Sequence, residues 1–141
     1  MEFALLMPWV ILLFVGAFDW GFYAHALIST EDATRSAAIY AANLANGNPV
    51  TATACTLVLN DLSISANVAG LSTCTSGAVT SAAPVGVSLT CTSLDSVNAV
   101  KAQVTYQTLQ LIPIPGLLVG QTVLSRTAEM PMSKNSSCSV S

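Results

Sequence analysis

The chain has 141 residues, of which 52% are hydrophobic and 8% are charged, and its formal net charge at pH 7 is −3. This composition is too apolar and too weakly charged for an ordinary monomeric soluble domain, so we expect the chain to have partners. Only four residues are basic, which leaves no basic patch and gives nucleic-acid binding no electrostatic support.

The first segment, from Met1 to about Gly47, predicts one long helix. It contains an uncharged apolar run from Phe3 to Phe18. At helical rise this run is roughly 24 Å long, short of the ~30 Å hydrocarbon core of a bilayer, so it is marginal as a membrane span. No basic residue precedes the run and no small-residue cleavage site follows it, so we expect it to remain on the mature protein.

The second part of this segment is rich in alanine and predicts a helix with one packed face and one wet face. Pro8, near the start, removes a backbone hydrogen bond and predicts a local kink or an early helix start. Asp32 lies three residues before Arg35, and Gly47 followed by Asn48-Pro49 is a helix stop. The polar residues expected on the wet side are Ser29, Thr30, Glu31, Asp32, Asn43 and Asn46.

Glu2 stands directly before the apolar run. A carboxylate buried in hydrocarbon or in a protein core is costly unless it is paired, and one suitable partner is the amino terminus of the same or a neighbouring chain. The alternative is an interfacial glutamate that stays in water. At the other end of the run, the cluster Asp19, Trp20, Phe22 and Tyr23 would form an interfacial belt in a membrane or a packing cluster in an assembly.

After Gly47 the composition shifts to Thr, Ser, Ala, Val and Asn, and the β-branched segment 50–68 is ambiguous between strand and helix. Alternation then predicts three antiparallel strands, with one sheet face covered by the long helix. Pro113 and Pro115 place an irregular loop before the third strand, Gly120 to Met130. The inward residues of the first two strands are Val85, Val87, Leu89, Cys91, Val100, Ala102, Val104 and Tyr106.

Four cysteines occur without a CxxC motif or a nearby histidine, which favours two disulfides over a zinc site. Disulfides imply an oxidising location outside the cytoplasm. Spacing alone leaves three connectivities open. We favour Cys55–Cys74, which closes the middle segment, and Cys91–Cys138, which ties the Ser-rich tail to the first strand. In that tail, Asn135-Ser136-Ser137 is a weak glycosylation match, and a solvated tail is the preferred interpretation.

Candidate catalytic residues are few. His25 is the only histidine, so any Ser-His-Asp or Cys-His set would depend on it alone. Glu31 and Asp32 are adjacent, about 100° apart on a helix, which makes a poor shared acid–base site and predicts a solvated face paired with Arg35. No glycine-rich phosphate loop follows a strand. We therefore predict no catalytic residue, cofactor or metal.

Two stretches resemble one family. Residues 1–42, MEFALLMPWVILLFVGAFDWGFYAHALISTEDATRSAAIYAA, are similar to the N-terminal segment of TadE-like proteins, in which a glutamate and an aromatic, here Glu2 and Phe3, lead into ALxxP. Residues 100–132, VKAQVTYQTLQLIPIPGLLVGQTVLSRTAEMPM, resemble the closing hairpin of that family. The middle of the chain matches only in composition. In one departure from the family pattern, the sequence shows no basic leader ending in Gly before Met1, and Glu2 lies nearer the start, so either the leader lies outside this sequence or this start differs.

The resemblance implies an α+β, type IV pilin-like fold: a long apolar helix, a second short helix within 50–68, and a small disulfide-stapled antiparallel sheet. Residues 1–47 would be a filament core or membrane anchor, and residues 48–141 a β-rich extracytoplasmic domain. The residues expected at the assembly contact are Glu2, Phe3, Leu5, Leu6, Pro8, Trp9, Phe14 and Phe18.

The implied function is that of a structural subunit of an extracellular pilus, held in the inner membrane before assembly. Its partners would be copies of itself, a prepilin peptidase and the inner-membrane assembly machinery. A minor membrane-anchored component of a Tad-type pilus or secretion machine is the alternative. A periplasmic enzyme on an anchor is a third, remoter class.

Overall fold

The computed structural model describes residues 2–44, 49–65, 67–108, 123–132 and 138–140, with side chains from Leu6 onward. It contains two helices, α1 (Glu2–Asn43) and α2 (Thr51–Asp61), followed by three strands. These are β1 (Val85–Leu94), β2 (Val97–Gln107) and β3 (Val123–Pro131). The chain therefore has the expected α+β fold.

Helix α1 is continuous over 42 residues, with Pro8 inside it, and is about 63 Å long at ideal rise. Its second half carries a stripe of small buried residues at the three- and four-residue spacing that defines one helix face. We call this the alanine stripe: Ala26, Thr30, Ala33, Thr34, Ala37, Ala38 and Ala41. The stripe lets the helix backbone approach β2 and β3 closely, since no side chain in it is larger than threonine.

Thr30 corrects one expectation, because it is fully buried rather than on the wet face. Its hydroxyl donates a hydrogen bond to the carbonyl of Ala26 at 2.7 Å, and Thr34 donates to the carbonyl of Thr30 at 2.6 Å. Each hydroxyl is satisfied within the helix itself, so burial leaves no donor unpaired. Threonine can therefore occupy a packed position that its polarity argues against.

The segment with ambiguous sequence signals forms a helix. Helix α2 buries Ala54, Cys55, Val58 and Leu59, and it contacts both α1 and β1. Cys55 forms a disulfide with Cys74, which ties the end of the middle segment to this helix. The β-branched side chains of α2 are accommodated because packing of its buried face outweighs their weak strand preference.

The sheet is antiparallel with strand order β1-β2-β3. Its helix-facing side brings together Val87 and Val104 from the first pair of strands, and Tyr106 and Leu124 from the second. The inward positions predicted for β2 are all buried, and those for β1 are buried as far as Leu89. The predicted third strand is present from Val123, while residues 109–122, including the Pro-rich loop, lie outside the described residues.

Cys91 corrects a second expectation, because it is exposed rather than on the core face. Burial along β1 ends at Leu89, so the last residues of the strand extend past the packed layer. There Cys91 forms a disulfide with the half-buried Cys138. The structure thus contains the two disulfides that the sequence favoured, with all four cysteines paired.

The outer edge of β1 is covered by the residue that follows Cys74. Thr75 forms a parallel bridge with Gly86, with backbone hydrogen bonds to Val85 and Val87 of 3.0 and 3.1 Å. A Cβ at Gly86 would lie 3.2 Å from the Val79 side chain, so glycine suits this close contact. Covering an edge strand in this way removes a template for unwanted strand pairing.

The β1–β2 hairpin has a two-residue turn, Asp95-Ser96, in which both residues have positive φ, 49° and 66°. Left-handed backbone costs a non-glycine residue about 1 kcal/mol or more.

We expect Ser96→Gly to stabilise the domain by roughly 0.5 to 1 kcal/mol, measured as a higher urea midpoint in mild detergent. The control is Ser93→Gly within β1, which should lower the midpoint. An unchanged or lower midpoint for Ser96→Gly would contradict the prediction.

Candidate assembly surface

The N-terminal half of α1 projects from the packed domain. We call residues 6–22 the apolar segment. Among residues with described side chains, the first buried one is Ala26, and most bulky side chains before it are exposed: Trp9 is 71% exposed and Leu13 is 73% exposed. At helical rise this segment is about 25 Å long.

The exposed apolar side chains point to every side of the helix, as the uncharged run predicts. The expected assembly residues with described side chains, Leu6, Pro8, Trp9, Phe14 and Phe18, are all exposed and spread around the axis. The structure does not gather them into one cluster within the chain. Glu2, Phe3 and Leu5 lie at the start of α1, and their side chains are outside the described ones. An apolar surface of this kind marks a contact with protein or lipid.

Two glycines interrupt the apolar segment, and the sequence reading did not single them out. A Cβ added at Gly16 or Gly21 would meet no described atom within 4 Å. Glycine inside a helix costs about 1 kcal/mol relative to alanine. No close contact within the described chain accounts for either glycine. The sequence alone gives no signal for this, because it does not show how much space surrounds each glycine.

The aromatic cluster lies where the helix enters the domain. The rings of Trp20 and Tyr23 stack with centroids 6.0 Å apart. Trp20 and Phe22 are exposed, whereas Tyr23 is half-buried and packs against the core. His25 is exposed. The cluster therefore marks the boundary between the apolar segment and the alanine stripe.

Charged groups are few and mostly exposed. Arg35 pairs with Glu31 at 2.6 Å across one helical turn, as expected for a solvated face. Lys101 pairs with Glu129 at 3.2 Å across β2 and β3. Such exposed pairs contribute little to stability. No group of three His, Cys, Asp or Glu residues in the described ranges is placed to hold a metal ion.

One buried polar cluster lies at the end of β2. The Tyr106 hydroxyl donates to Asn67 Oδ1 at 2.6 Å, and Asn67 Nδ2 donates to the carbonyl of Gln107 at 2.7 Å. Burial raises the pKa of Tyr106 above its ordinary value, although hydrogen bonds with Ser65 and Asn67 oppose the shift. The neutral phenol therefore fixes the turn after α2 to the sheet.

Helix α1 is also long and apolar enough to cross a membrane. By length and composition alone, the described helix from Leu6 to Asn43 meets the requirements of a span. Almost none of its most apolar stretch is buried within the chain. This finding is compatible with membrane anchoring and equally with packing against other helices.

Residues 1–38 match the family model described as TadE-like protein. The match covers the apolar segment and all of the alanine stripe except Ala41, and it agrees with the resemblance seen at the N-terminus. TadE-like, Tad pilus-associated proteins are structural rather than enzymatic. No curated protein and no solved structure matches the chain.

Proposed function

We propose that this chain is a structural subunit of a Tad-type pilus, which assembles by bundling its N-terminal apolar helix. The observation that carries the proposal is the exposed apolar segment on a helix whose first 38 residues match the TadE-like family. Identical chains stacked helically would bury every side of such a helix, and a head-to-tail contact that does not close generates a fibre.

The energetic argument rests on the size of the exposed side chains. Full burial of one large apolar side chain contributes about 1.5 to 3 kcal/mol. The apolar segment carries eleven large hydrophobic side chains that are at least 45% exposed, from Leu6 through Phe22. Burial of the part that is still exposed would contribute roughly 10 to 20 kcal/mol, which is comparable to or larger than the cost of association of about 4 to 15 kcal/mol.

The N-terminal helix and the rest of the chain have different roles in this proposal. Within residues 1–47, the apolar segment forms the filament core, or the inner-membrane anchor before assembly, while the alanine stripe packs into the domain that residues 48–141 form outside it. The two disulfides support an oxidising, extracytoplasmic location for that domain. The partners are further copies of the chain, a prepilin peptidase and the inner-membrane assembly machinery.

A second candidate is a minor, membrane-anchored component of the same kind of machine. It is favoured by the span-length helix, which suits lasting residence in a bilayer. Stoichiometry separates the two candidates. A major subunit forms most of the mass of sheared extracellular filaments, whereas a minor component is rare there and abundant in the membrane fraction.

The proposal predicts that Leu13→Asp abolishes filaments. Leu13 is 73% exposed and touches nothing in the domain, so both disulfides should form as in the parent chain. A carboxylate at the centre of a bundled or membrane-inserted helix costs about 2.5 to 3.5 kcal/mol. The measurement is electron microscopy of sheared filaments together with a non-reducing gel.

The matched control is Ile64→Asp, at an 81%-exposed position in the turn after α2. We expect this variant to assemble like the parent. Normal filaments from the Leu13→Asp chain would overturn bundling of the apolar segment, and monodisperse detergent-soluble particles from the parent chain would overturn the filament itself.

A further inference from the structure

We infer that Asp19 of one subunit forms an ion pair with Arg126 of a neighbouring copy of the chain. The inference rests on the proposed function, since it assigns a contact within the filament. It follows from the distribution of charges, from the side of α1 on which Asp19 lies, and from the position of Arg126 in the sheet.

Asp19 is unusual among the acidic residues. It is the only carboxylate in the apolar segment, between Phe18 and Trp20, and among acidic residues with described side chains it is the only one that is partly buried. In the described part of the chain it has no ion pair. When neighbouring helices cover the apolar segment, this carboxylate loses water and requires a cation.

The helical period places Asp19 on the domain side of α1. It precedes Tyr23, Ala26 and Thr30 at the four- and three-residue spacing of the alanine stripe. Asp19 thus continues the line of the stripe about 10 Å beyond Ala26, just outside the domain of its own chain. In an assembly, the cation that pairs with Asp19 would therefore come from the edge of a neighbouring subunit's domain, packed against this part of the helix.

The supply of cations is small. The chain has four Lys and Arg residues. Arg35 is held by Glu31, and Lys101 by Glu129. Arg126 has no carboxylate partner among the described residues, and its guanidinium only donates to the adjacent carbonyl of Ser125 at 3.3 Å. Lys134 lies outside the described ranges.

Arg126 is placed for contact with another copy. It lies in β3, at one side of the three-stranded sheet, opposite Val104. It shares the helix-facing side of the strand with the buried Leu124, yet it is itself exposed. A planar guanidinium can bind a carboxylate with two parallel hydrogen bonds, which fixes orientation as well as charge. The pair would set the register of one subunit's helix against the next subunit's sheet.

A charge exchange between two chains tests the contact. We expect Asp19→Arg and Arg126→Asp each to lower filament yield at least about ten-fold, with both disulfides intact, because each creates a like-charge contact at every interface. The double variant should restore filaments. Co-expression of the two single variants should restore them as well, in filaments that contain both chains in equal amounts, because an alternating polymer satisfies every contact.

Co-expression distinguishes an ion pair between chains from one within a chain. If residues 19 and 126 paired within one chain, each single variant would keep two like charges facing each other whatever its neighbour in the mixture. Asp19→Asn and Arg126→Gln should lower the yield in the same direction. Asp32→Arg is the matched control at an exposed carboxylate of the same helix, and combining it with Arg126→Asp should restore nothing.

Normal assembly of the single variants, or failure of the co-expressed single variants to recover filaments, would overturn the ion pair between chains while leaving the filament standing. Absence of filaments from the parent chain would instead overturn the proposed function.

Discussion

Replacing Glu2 with glutamine should leave stable, membrane-retained subunits that form few or no filaments. In a filament core the carboxylate would be desolvated, and its best compensation is the positive amino terminus of an adjoining subunit. Removing one partner of a buried pair costs about 3 to 5 kcal/mol, because the other charge is left unpaired. Repeated at every subunit, such a loss stops growth. The measurement is filament yield by electron microscopy, with membrane-fraction content and disulfide state as the fold check.

The control for this prediction is Glu31→Gln. Glu31 is half exposed and pairs with Arg35 on the wet side of the helix, so its loss should change assembly little. If Glu2→Gln chains polymerise as well as the parent, Glu2 is an interfacial bystander, and register comes from apolar packing together with contacts nearer the domain.

The second large effect is expected from the Cys91–Cys138 disulfide. Replacing both cysteines with serine should lower the free energy of unfolding by about 4 kcal/mol, since the bond closes a loop with a sequence separation of 47 residues. The Cys55–Cys74 pair closes a separation of 19 residues, so the corresponding double variant should lose about 3 kcal/mol. Urea unfolding in mild detergent, followed by circular dichroism, measures both values under oxidising conditions.

The order of the two losses is the informative result. A larger loss from the Cys55–Cys74 variant would mean that packing of α2 around the buried Cys55, rather than loop length, governs the contribution of the disulfides. Cys91 is exposed, so serine there should disturb the packing little.

Much of the fold could be predicted because its patterns are long and local. Helix α1 follows from a run of strong helix formers with a stop after it, and β2 from a clean alternation of four buried residues. Helix α2 was favoured mainly by the family resemblance, since its Thr and Val residues favour a strand. Its buried Ala54 and Val58, followed by Leu62 directly after the helix, recur every four residues, and that period was a second available signal.

The errors arose where tertiary contacts override residue type. Thr30 can be buried because its hydroxyl donates a hydrogen bond to a carbonyl of its own helix. Cys91 is exposed because the end of β1 extends beyond the part of the strand that is buried. The Asp95-Ser96 turn lacks the glycine that usually marks such hairpins, so neither strand was predicted to reach the turn.

The candidate site was predictable in part. An uncharged apolar run predicts, from composition alone, a helix surrounded by lipid or by other protein helices, and the structure adds how far that helix projects from the domain. The relation of Asp19 to Arg126 could not be predicted, because it requires knowing which side of α1 packs on the sheet and which cations are already paired.

The continuity of α1 has a mechanical consequence. Because one unbroken helix joins the apolar segment to the alanine stripe, a pulling force along its axis reaches the domain as shear, directed parallel to the stripe. Shear loads every contact from Ala26 to Ala41 at the same time, whereas a force perpendicular to the sheet would break them one after another. Small side chains interlock little and neither disulfide joins α1 to the sheet, so resistance to sliding comes from the number of contacts that are loaded together. The two disulfides, one on α2 and one at the far end of β1, would keep the sheet intact under such a load while the helix transmits it.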